Sequence, residues 1–325
     1  MGERASKDTA AHSGEDVPMD PRLEIAVYVS RRWYEDIFAL HGLSARATPD
    51  LWTATDPPPR WHSAVKTLRP GVAVEAVLTA MSSYEHGSVA DSYGDLDLGP
   101  HGFKLLIDAT WLYRGPDSRR RDSLPATWSV IANERLLRDW NGKHDTEGVL
   151  LPTMLTHPRF TILARHDGET LTAGAVLHDT GFAVGLSNTW SNDEELDWEG
   201  LLGAASAVHP DQPLIDYAAD DVGLFMAAGF EPLGPQRVWE RGEASLYLAR
   251  LPMIRLARAS DSHALTTFSV GWTSRPELML LEPGELVSSN QREQSEAGLE
   301  NAPQGVVFTA PGSPFSAVNP SECPE

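Results

Sequence analysis

The feature that most constrains the fold is the alternation of short apolar runs and turn residues between residues 126 and 241. Phe160–Arg165 and Leu171–Leu177 are apolar runs of strand length. The pair Asp167-Gly168 lies between them and favours a tight reversal of the chain. This segment is therefore predicted to be an antiparallel hairpin.

Two helical patterns follow the hairpin. Apolar residues recur at helical spacing in Leu196–Val208 and in Asp221–Ala228, and Gly229 stands where a helix commonly ends. Strands are predicted between and after them at Phe182–Leu186, Pro213–Tyr217 and Gln236–Glu240. This order predicts an α/β fold with a mixed sheet.

The first half carries its own elements. A helix is predicted from Asp20-Pro21, a good N-terminal pair, to Gly42, and Gly102–Tyr113 is an apolar strand. Residues 115–125 are mostly Gly, Pro, Asp, Ser and Arg. The predicted organisation is an α/β half at 20–115, a linker at 116–125 and a second α/β domain at 126–255.

The two ends of the chain differ from its middle in composition. Residues 1–19 are rich in Ser, Asp, Glu and Gly, and residues 256–325 combine Ser, Glu, Gln and Asn with repeated prolines. Such segments bury too little apolar surface to offset the entropy of ordering. Residues 1–19 are predicted to be disordered, and residues 256–325 mostly so.

The charge balance bears on possible partners. There are 46 acidic and 26 basic residues, for a formal charge of −20, which disfavours nucleic acid as a partner unless a local basic patch exists. The single cysteine, Cys323, leaves no disulfide within the chain. With no apolar signal segment or membrane-length run, a cytoplasmic location without membrane insertion is expected.

A short pattern occurs twice. Gly102-Phe103 leads into a strand that carries Trp111, and Gly229-Phe230 leads into a strand region that carries Trp239. The repetition suggests a duplication.

The order of the second half, with its ending Ala227-Ala228-Gly229-Phe230-Glu231, resembles the GNAT superfamily of N-acyltransferases. The resemblance implies that an amine acceptor and acyl-CoA meet across a splayed sheet. By this resemblance Phe182–Thr189 is the cofactor strand and Leu196–Val208 is the helix after it. With the first half included, the chain also resembles two-domain members of the superfamily.

Two positions depart from the family pattern. The family places a glycine-rich loop between cofactor strand and helix, where backbone N–H groups hold the diphosphate. Here Asp193–Glu199 brings carboxylates instead, which argues against acyl-CoA. Many members also carry a tyrosine four residues before the Gly-Phe pair as the acid for the leaving thiolate, and Phe225 stands there.

The candidate site residues lie at the ends of two predicted strands, a favoured ligand position in α/β sheets. Asp216 and Tyr217 are the candidate catalytic pair, with Asp216 as a base and Tyr217 as an alternative acid; packing is the competing interpretation for Tyr217. The candidate cofactor-binding residues are Leu186, Ser187, Asn188, Thr189 and Trp190, whose competing role is to cap a turn.

No metal site is expected, because the spacing of His157, His166 and His178 matches no metal motif. His62 is expected to be a structural histidine. The functional prediction is transfer of an acyl group from acyl-CoA or another carrier to a small-molecule amine. Two alternatives are a GNAT homologue that only binds a small molecule or partner, and transfer from an aminoacyl-tRNA, which would need Arg119–Arg121 and Arg60 to form a basic patch.

Overall fold

A computed structural model describes residues 19–117, 121–193, 196–242 and 255–256. All of them belong to one compact unit, Met1–Phe268. The tails for which disorder is predicted lie almost wholly outside the described residues. So do four residues named above, Arg119, Arg120, Glu194 and Glu195.

The helices and strands alternate along the chain. The α-helices are α1 (Arg22–Leu40), α2 (Val74–Ala80), α3 (Glu134–His144), α4 (Trp198–Val208) and α5 (Val222–Ala227). The strands are β1 (Ala45–Ala47), β2 (Leu51–Ala54), β3 (Val65–Thr67), β4 (Gly87–Asp91), β5 (Phe103–Arg114), β6 (Trp128–Val130), β7 (Phe160–Asp167), β8 (Thr170–Asp179), β9 (Val184–Ser191), β10 (Leu214–Ala218), β11 (Glu231–Arg241) and β12 (Arg255–Leu256). This confirms the predicted α/β class.

Several strands differ from their predicted bounds. β9 continues to Ser191, whereas the pattern predicted an end at Leu186. β11 begins at Glu231, well before the predicted Gln236. Its first half contains Pro232 and Pro235, and proline interrupts a strand pattern in the sequence. A register shift between Pro232 and Gly234 accommodates the first of them. The short strands β1, β2 and β4 were not predicted.

One mixed sheet contains these strands in the order β1-β2-β3-β4-β11-β5-β10-β9-β8-β7-β6, and β12 pairs in parallel with the end of β9. With β6 left out, the order reads the same from both ends when β1 to β5 are matched in turn with β7 to β11. Each half thus contains a hairpin, a third strand, a parallel crossover and a final strand. The two final strands, β5 and β11, have exchanged places at the centre of the sheet.

This symmetry supports the predicted duplication. The two copies of the Gly-Phe and Trp pattern fall on β5 and β11, which are antiparallel neighbours. It also corrects the predicted division of the chain, because residues 116–125 do not separate two sheets. β5 comes from before that segment, yet it pairs with β10 and β11 from after it.

Helices cover both faces of the second half of the sheet. α4 and α5 pack over the face that includes Leu177, Leu186 and Leu214. The opposite face of β5 and β10 packs against α1, where Trp111 and Ile215 are buried. Among the described helices, none is both long and apolar enough to cross a membrane.

Candidate active site

The candidate site lies where β9 and β10 separate. The two strands pair in parallel only at Leu214 with Val184 and at Ile215 with Gly185. Beyond these pairs β10 runs on to Ala218 and β9 to Ser191. An open wedge between two strands of a sheet exposes backbone and side chains that a closed sheet would cover, so it is a place where a ligand can enter.

The equivalent position in the first half is closed. There β3 and β4 pair in parallel at Val65 with Val89 and at Lys66 with Ala90. The next residues stay joined, because the Ser92 backbone N–H donates to Thr67 Oγ1 (2.8 Å) and the Ser92 hydroxyl donates to the Thr67 carbonyl (2.7 Å). Of the two related wedges, only the one in the second half has opened.

A cavity of about 130 Å³ fills the open wedge and extends under α1. A cavity of roughly 150 Å³ can hold a benzene ring, so this one has room for the reacting end of a small molecule. Aromatic side chains dominate its wall, and polar groups from three strands interrupt them. The aromatic wall consists of Trp33, Tyr34, Trp61, Trp111 and Tyr217, with His62 and His178 beside them.

Two backbone features shape β9 at the cavity. Asn188 has a φ of +52°, a left-handed conformation, at a point where the register between β8 and β9 shifts. A bulge of this kind re-aims the side chains that follow it. Gly185 lets α1 approach closely, because a Cβ there would lie 3.0 Å from Val29 Cγ1.

The structure brings most of the predicted site residues together. Leu186, Ser187, Asn188, Thr189, Asp216 and Tyr217 all line the cavity. Trp190 does not line it. The indole of Trp190 is buried in the core against Trp140, with ring centroids 5.9 Å apart.

Asp216 and Tyr217 lie on opposite faces of β10. Tyr217 packs edge-on against Trp111 on the α1 face, with centroids 5.6 Å apart. Successive side chains of a strand point to opposite faces, so Asp216 lies on the α4 face. Asp216 Oδ1 accepts a hydrogen bond from the Tyr217 backbone N–H. Burial raises the pKa of the Asp216 carboxyl well above its usual range and also raises the pKa of Tyr217.

A histidine and a carboxylate form a dyad beside the cavity. His178 Nε2 lies 2.8 Å from Asp36 Oδ2, and Asp36 also contacts Arg32 and Arg159, each at 3.2 Å. Burial disfavours the Asp36 carboxylate, but the hydrogen bond from His178 and the two guanidinium groups outweigh it and lower its pKa. An ionised Asp36 can only accept, so Nε2–H is the donor.

The other ring nitrogen of this histidine is unused. His178 is fully buried (0% exposed), it lines the cavity, and Nδ1 has no hydrogen-bond partner among the described residues. Two more buried polar atoms on the cavity wall, Thr189 Oγ1 and Trp61 Nε1, also have no partner there. Buried polar atoms in native proteins are nearly always bonded, so such a group calls for an explanation, and a bound ligand is one.

His62 contrasts with His178. Its Nδ1 lies 2.8 Å from the Arg60 carbonyl, and its Nε2 accepts from Trp33 Nε1 at 3.0 Å. Burial lowers the pKa of His62 to about 4, so the ring is neutral and both nitrogens are engaged. His62 therefore has the geometry of a structural histidine.

A buried lysine lies behind the aromatic wall. Lys66 Nζ stands 5.2 Å from the centre of the Tyr34 ring and 5.6 Å from that of Trp111. Burial lowers the pKa of Lys66 to about 7, although the charge of Asp91 acts in the opposite direction. Nothing in the sequence singles out this residue, because a lysine between Val65 and Thr67 looks like a residue on the outward side of a strand.

The N-terminus of α4 is occupied by the chain itself. Asp197 Oδ1 accepts the Gly200 backbone N–H at 2.9 Å, and Asp197 Oδ2 accepts from Trp128 Nε1 at 3.3 Å. A Cβ at Gly200 would collide with the Asp197 carboxylate, so the cap fits tightly. The described residues here do not fit the diphosphate of a coenzyme A, because a carboxylate already holds the amide that the diphosphate would use.

Two further predictions can be compared with the structure. Phe225 is buried beside Trp198 and Phe230, so its surroundings are apolar and supply no acid. Arg60 binds Asp145 at 2.9 Å, and Arg121 lies 3.7 Å from Glu199. Each of these two arginines already has an acidic partner.

No protein-family model matches the sequence, and no curated protein is similar to it by sequence. Solved structures with a similar fold include a GCN5-related N-acetyltransferase from Kribbella flavida, with 14% identity and a TM-score of 0.48 over 68% of this chain and 97% of that one. Another is a GCN5-related N-acetyltransferase from Sphaerobacter thermophilus, with 10% identity and a TM-score of 0.42 over 71% of this chain and 96% of that one. A tandem GNAT protein from the clavulanic acid biosynthesis pathway is similar at 14% identity and a TM-score of 0.35, over 67% and 96%.

All three TM-scores are below 0.5. The similarity is remote. It concerns the fold class and carries nothing about the donor, the acceptor or the chemistry.

Proposed function

We propose that the protein transfers an acyl group from a thioester to a small amine in the cavity between β9 and β10. The observation that carries this proposal is the open wedge, which combines a cavity of about 130 Å³ with buried proton-transfer groups on both faces of the sheet. The closed wedge of the first half supports it further, because the fold itself does not require an opening.

The donor is proposed to be recognised by its thioester end. Ser187, Asn188 and Thr189 bring hydroxyl and amide groups to the cavity wall, and these can hold the carbonyl and the amide of an acyl carrier. The capped N-terminus of α4 disfavours recognition through a diphosphate. The geometry therefore favours an acyl carrier whose binding does not require the N-terminus of α4.

The reaction needs a proton acceptor for the amine and a proton donor for the thiolate. A carboxyl that burial keeps protonated to higher pH can serve as a donor. The raised pKa of Asp216 therefore suits the leaving thiolate better than it suits the ammonium. This reverses the role expected for Asp216 from sequence, while Tyr217 remains a candidate for holding the substrate.

The experiment is a turnover assay with two donors. The protein is incubated with a panel of small primary amines and either acetyl-CoA or S-acetyl-N-acetylcysteamine, which has no diphosphate, and amides are quantified by mass spectrometry. We expect amide formation above the uncatalysed rate with both donors and no more than a small advantage for acetyl-CoA. Absence of amide with both donors across the panel would reject acyl transfer.

The alternative function, binding without transfer, has its own support. Phe225 cannot donate the proton that the resemblance assigns to a tyrosine at this position, and the Asp197 carboxylate already caps α4, where the resemblance implies a diphosphate. Binding of an amine, seen as quenching of the cavity tryptophans, without any amide product would favour this alternative. Transfer from an aminoacyl-tRNA has less support, because Arg60 and Arg121 each have an acidic partner.

A further inference from the structure

We propose that His178 is the general base that removes a proton from the acceptor ammonium, and that Asp36 positions it. This inference rests on the proposed acyl transfer and identifies the proton acceptor that Asp216 does not supply. It assigns the acceptor subsite to the part of the cavity under α1.

The geometry fixes the chemistry of the ring. Asp36 accepts the Nε2–H at 2.8 Å, which leaves the lone pair of the neutral ring on Nδ1. Arg32 and Arg159 hold the carboxylate from two further sides. A carboxylate that orients a histidine in one tautomer is the arrangement by which histidine bases are activated in other enzymes.

The surroundings fix the ring itself. Trp33 and Phe160 pack against the imidazole, with centroids 5.7 and 4.8 Å away. His178 pairs with Gly185 across β8 and β9, so it lies at the level where β9 and β10 separate. The ring is thus immobilised where the cavity begins, and Nδ1 lacks a partner in the described residues.

The cavity size and its unpaired atoms describe the acceptor. About 130 Å³ accommodates a compact amine of few carbon atoms. His178 Nδ1 calls for an N–H donor, which the ammonium provides, and Trp61 Nε1 calls for a hydrogen-bond acceptor on the same molecule. The aromatic wall attracts a cation before its proton is lost.

The step balances with the thioester as co-substrate. One proton passes from the ammonium to His178 Nδ1, and the freed nitrogen lone pair forms a C–N bond to the thioester carbonyl carbon. The C–S bond then breaks, and its electrons leave on the thiolate. The second proton lost by nitrogen neutralises that thiolate, by way of Asp216, and the products are an amide, a thiol and protonated His178.

The test compares two acceptors of the same size. Propan-1-amine is an ammonium ion at neutral pH and needs a base, whereas O-ethylhydroxylamine is already neutral. With S-acetyl-N-acetylcysteamine as donor, His178→Asn is expected to lower the kcat/KM for propan-1-amine by about 10²–10⁴-fold and that for O-ethylhydroxylamine by less than about 10-fold. A structural role for His178 would lower both to the same extent.

Two further variants complete the design. Asp36→Asn lets the side chain donate to Nε2 and so moves the ring proton to Nδ1, and it is expected to show the same selective loss. It also serves as the test if His178→Asn does not fold. His62→Asn, in the same cavity but with both nitrogens already bonded, is expected to affect both acceptors equally.

The outcomes separate the two proposals. If the wild-type protein acylates neither acceptor, the proposed function fails. If it acylates both, and the His178 and Asp36 variants lose the two activities in parallel or keep both, acyl transfer stands and the role of His178 is overturned.

Discussion

The buried amine of Lys66 makes the stability of the protein depend on pH, and the substitution Lys66→Met is expected to remove this dependence. In the folded protein burial lowers the pKa of Lys66 from 10.5 to about 7. The folded pKa is below the unfolded one, so the unfolded chain binds more protons between these two pH values. Stability therefore rises with pH across this window.

The magnitude follows from the two pKa values. Below about pH 7 both states are protonated, and the difference 10.5 − 7 = 3.5 corresponds to a cost of about 5 kcal/mol. At pH 9 the remaining cost is set by the difference between the unfolded pKa of 10.5 and the pH, and it is about 2 kcal/mol. Lys66 alone is thus expected to add about 3 kcal/mol to the free energy of unfolding between pH 6 and pH 9.

The assay is urea unfolding followed by tryptophan fluorescence at pH 6 and pH 9. The wild-type protein is compared with Lys66→Met, and groups that titrate in both proteins cancel in the comparison. Lys143→Met, at an exposed position of α3, is the matched control and should behave as wild type. Equal pH dependence in wild type and Lys66→Met would refute the reasoning.

Three further substitutions test other parts of the structure. Gly174→Ala would push a methyl group against the indole nitrogens of Trp140 and Trp190, and chemical denaturation should show a loss of about 1–3 kcal/mol. Asp197→Ala removes the cap of α4 and should cost about 0.5–2 kcal/mol in the same measurement while leaving the kcat/KM for S-acetyl-N-acetylcysteamine within about 3-fold of wild type. Trp61→Phe removes from the cavity an N–H that has no partner among the described residues. It should weaken the binding of amines that carry a hydrogen-bond acceptor, and only of those, and so raise their KM values.

Each of the three has an outcome that contradicts it. If Gly174→Ala is as stable as the wild-type protein, the predicted clash is contradicted. Its control is Gly142→Ala, where a methyl group meets nothing within 4 Å. The prediction for Asp197→Ala is contradicted if the substitution raises stability or abolishes activity with S-acetyl-N-acetylcysteamine. For Trp61→Phe, an equal change in KM for amines with and without a hydrogen-bond acceptor would show that packing is the cause.

The sequence predicted the elements whose signals are local. The hairpin β7–β8 follows from two apolar runs and a glycine turn, and α5 ends at Ala227, two residues before Gly229, whose φ is +89°. The ends of β9 and β10 were also predicted to carry the site, because strand ends in α/β sheets are where ligands bind. Six of those residues line the cavity.

What depends on distant contacts could not be predicted. His178 and Asp36 are 142 residues apart, and no spacing or motif links them. The exchange of β5 and β11 likewise depends on pairing between strands that are more than 100 residues apart. The spacing of apolar residues within a short segment carries no information on such pairing. Trp190 was wrongly placed with the ligand residues, because the bulge at Asn188 changes the direction of the side chains after it.

The most direct test of the central claim is to fill the cavity and measure amide formation. Ser30 lines it from α1, and Ser30→Leu adds an apolar side chain to a space of about 130 Å³. With S-acetyl-N-acetylcysteamine and propan-1-amine, the wild-type protein should form amide above the uncatalysed rate, and Ser30→Leu should fall to that rate with its melting temperature retained. Equal rates in the two proteins would contradict the placement of the reaction between β9 and β10.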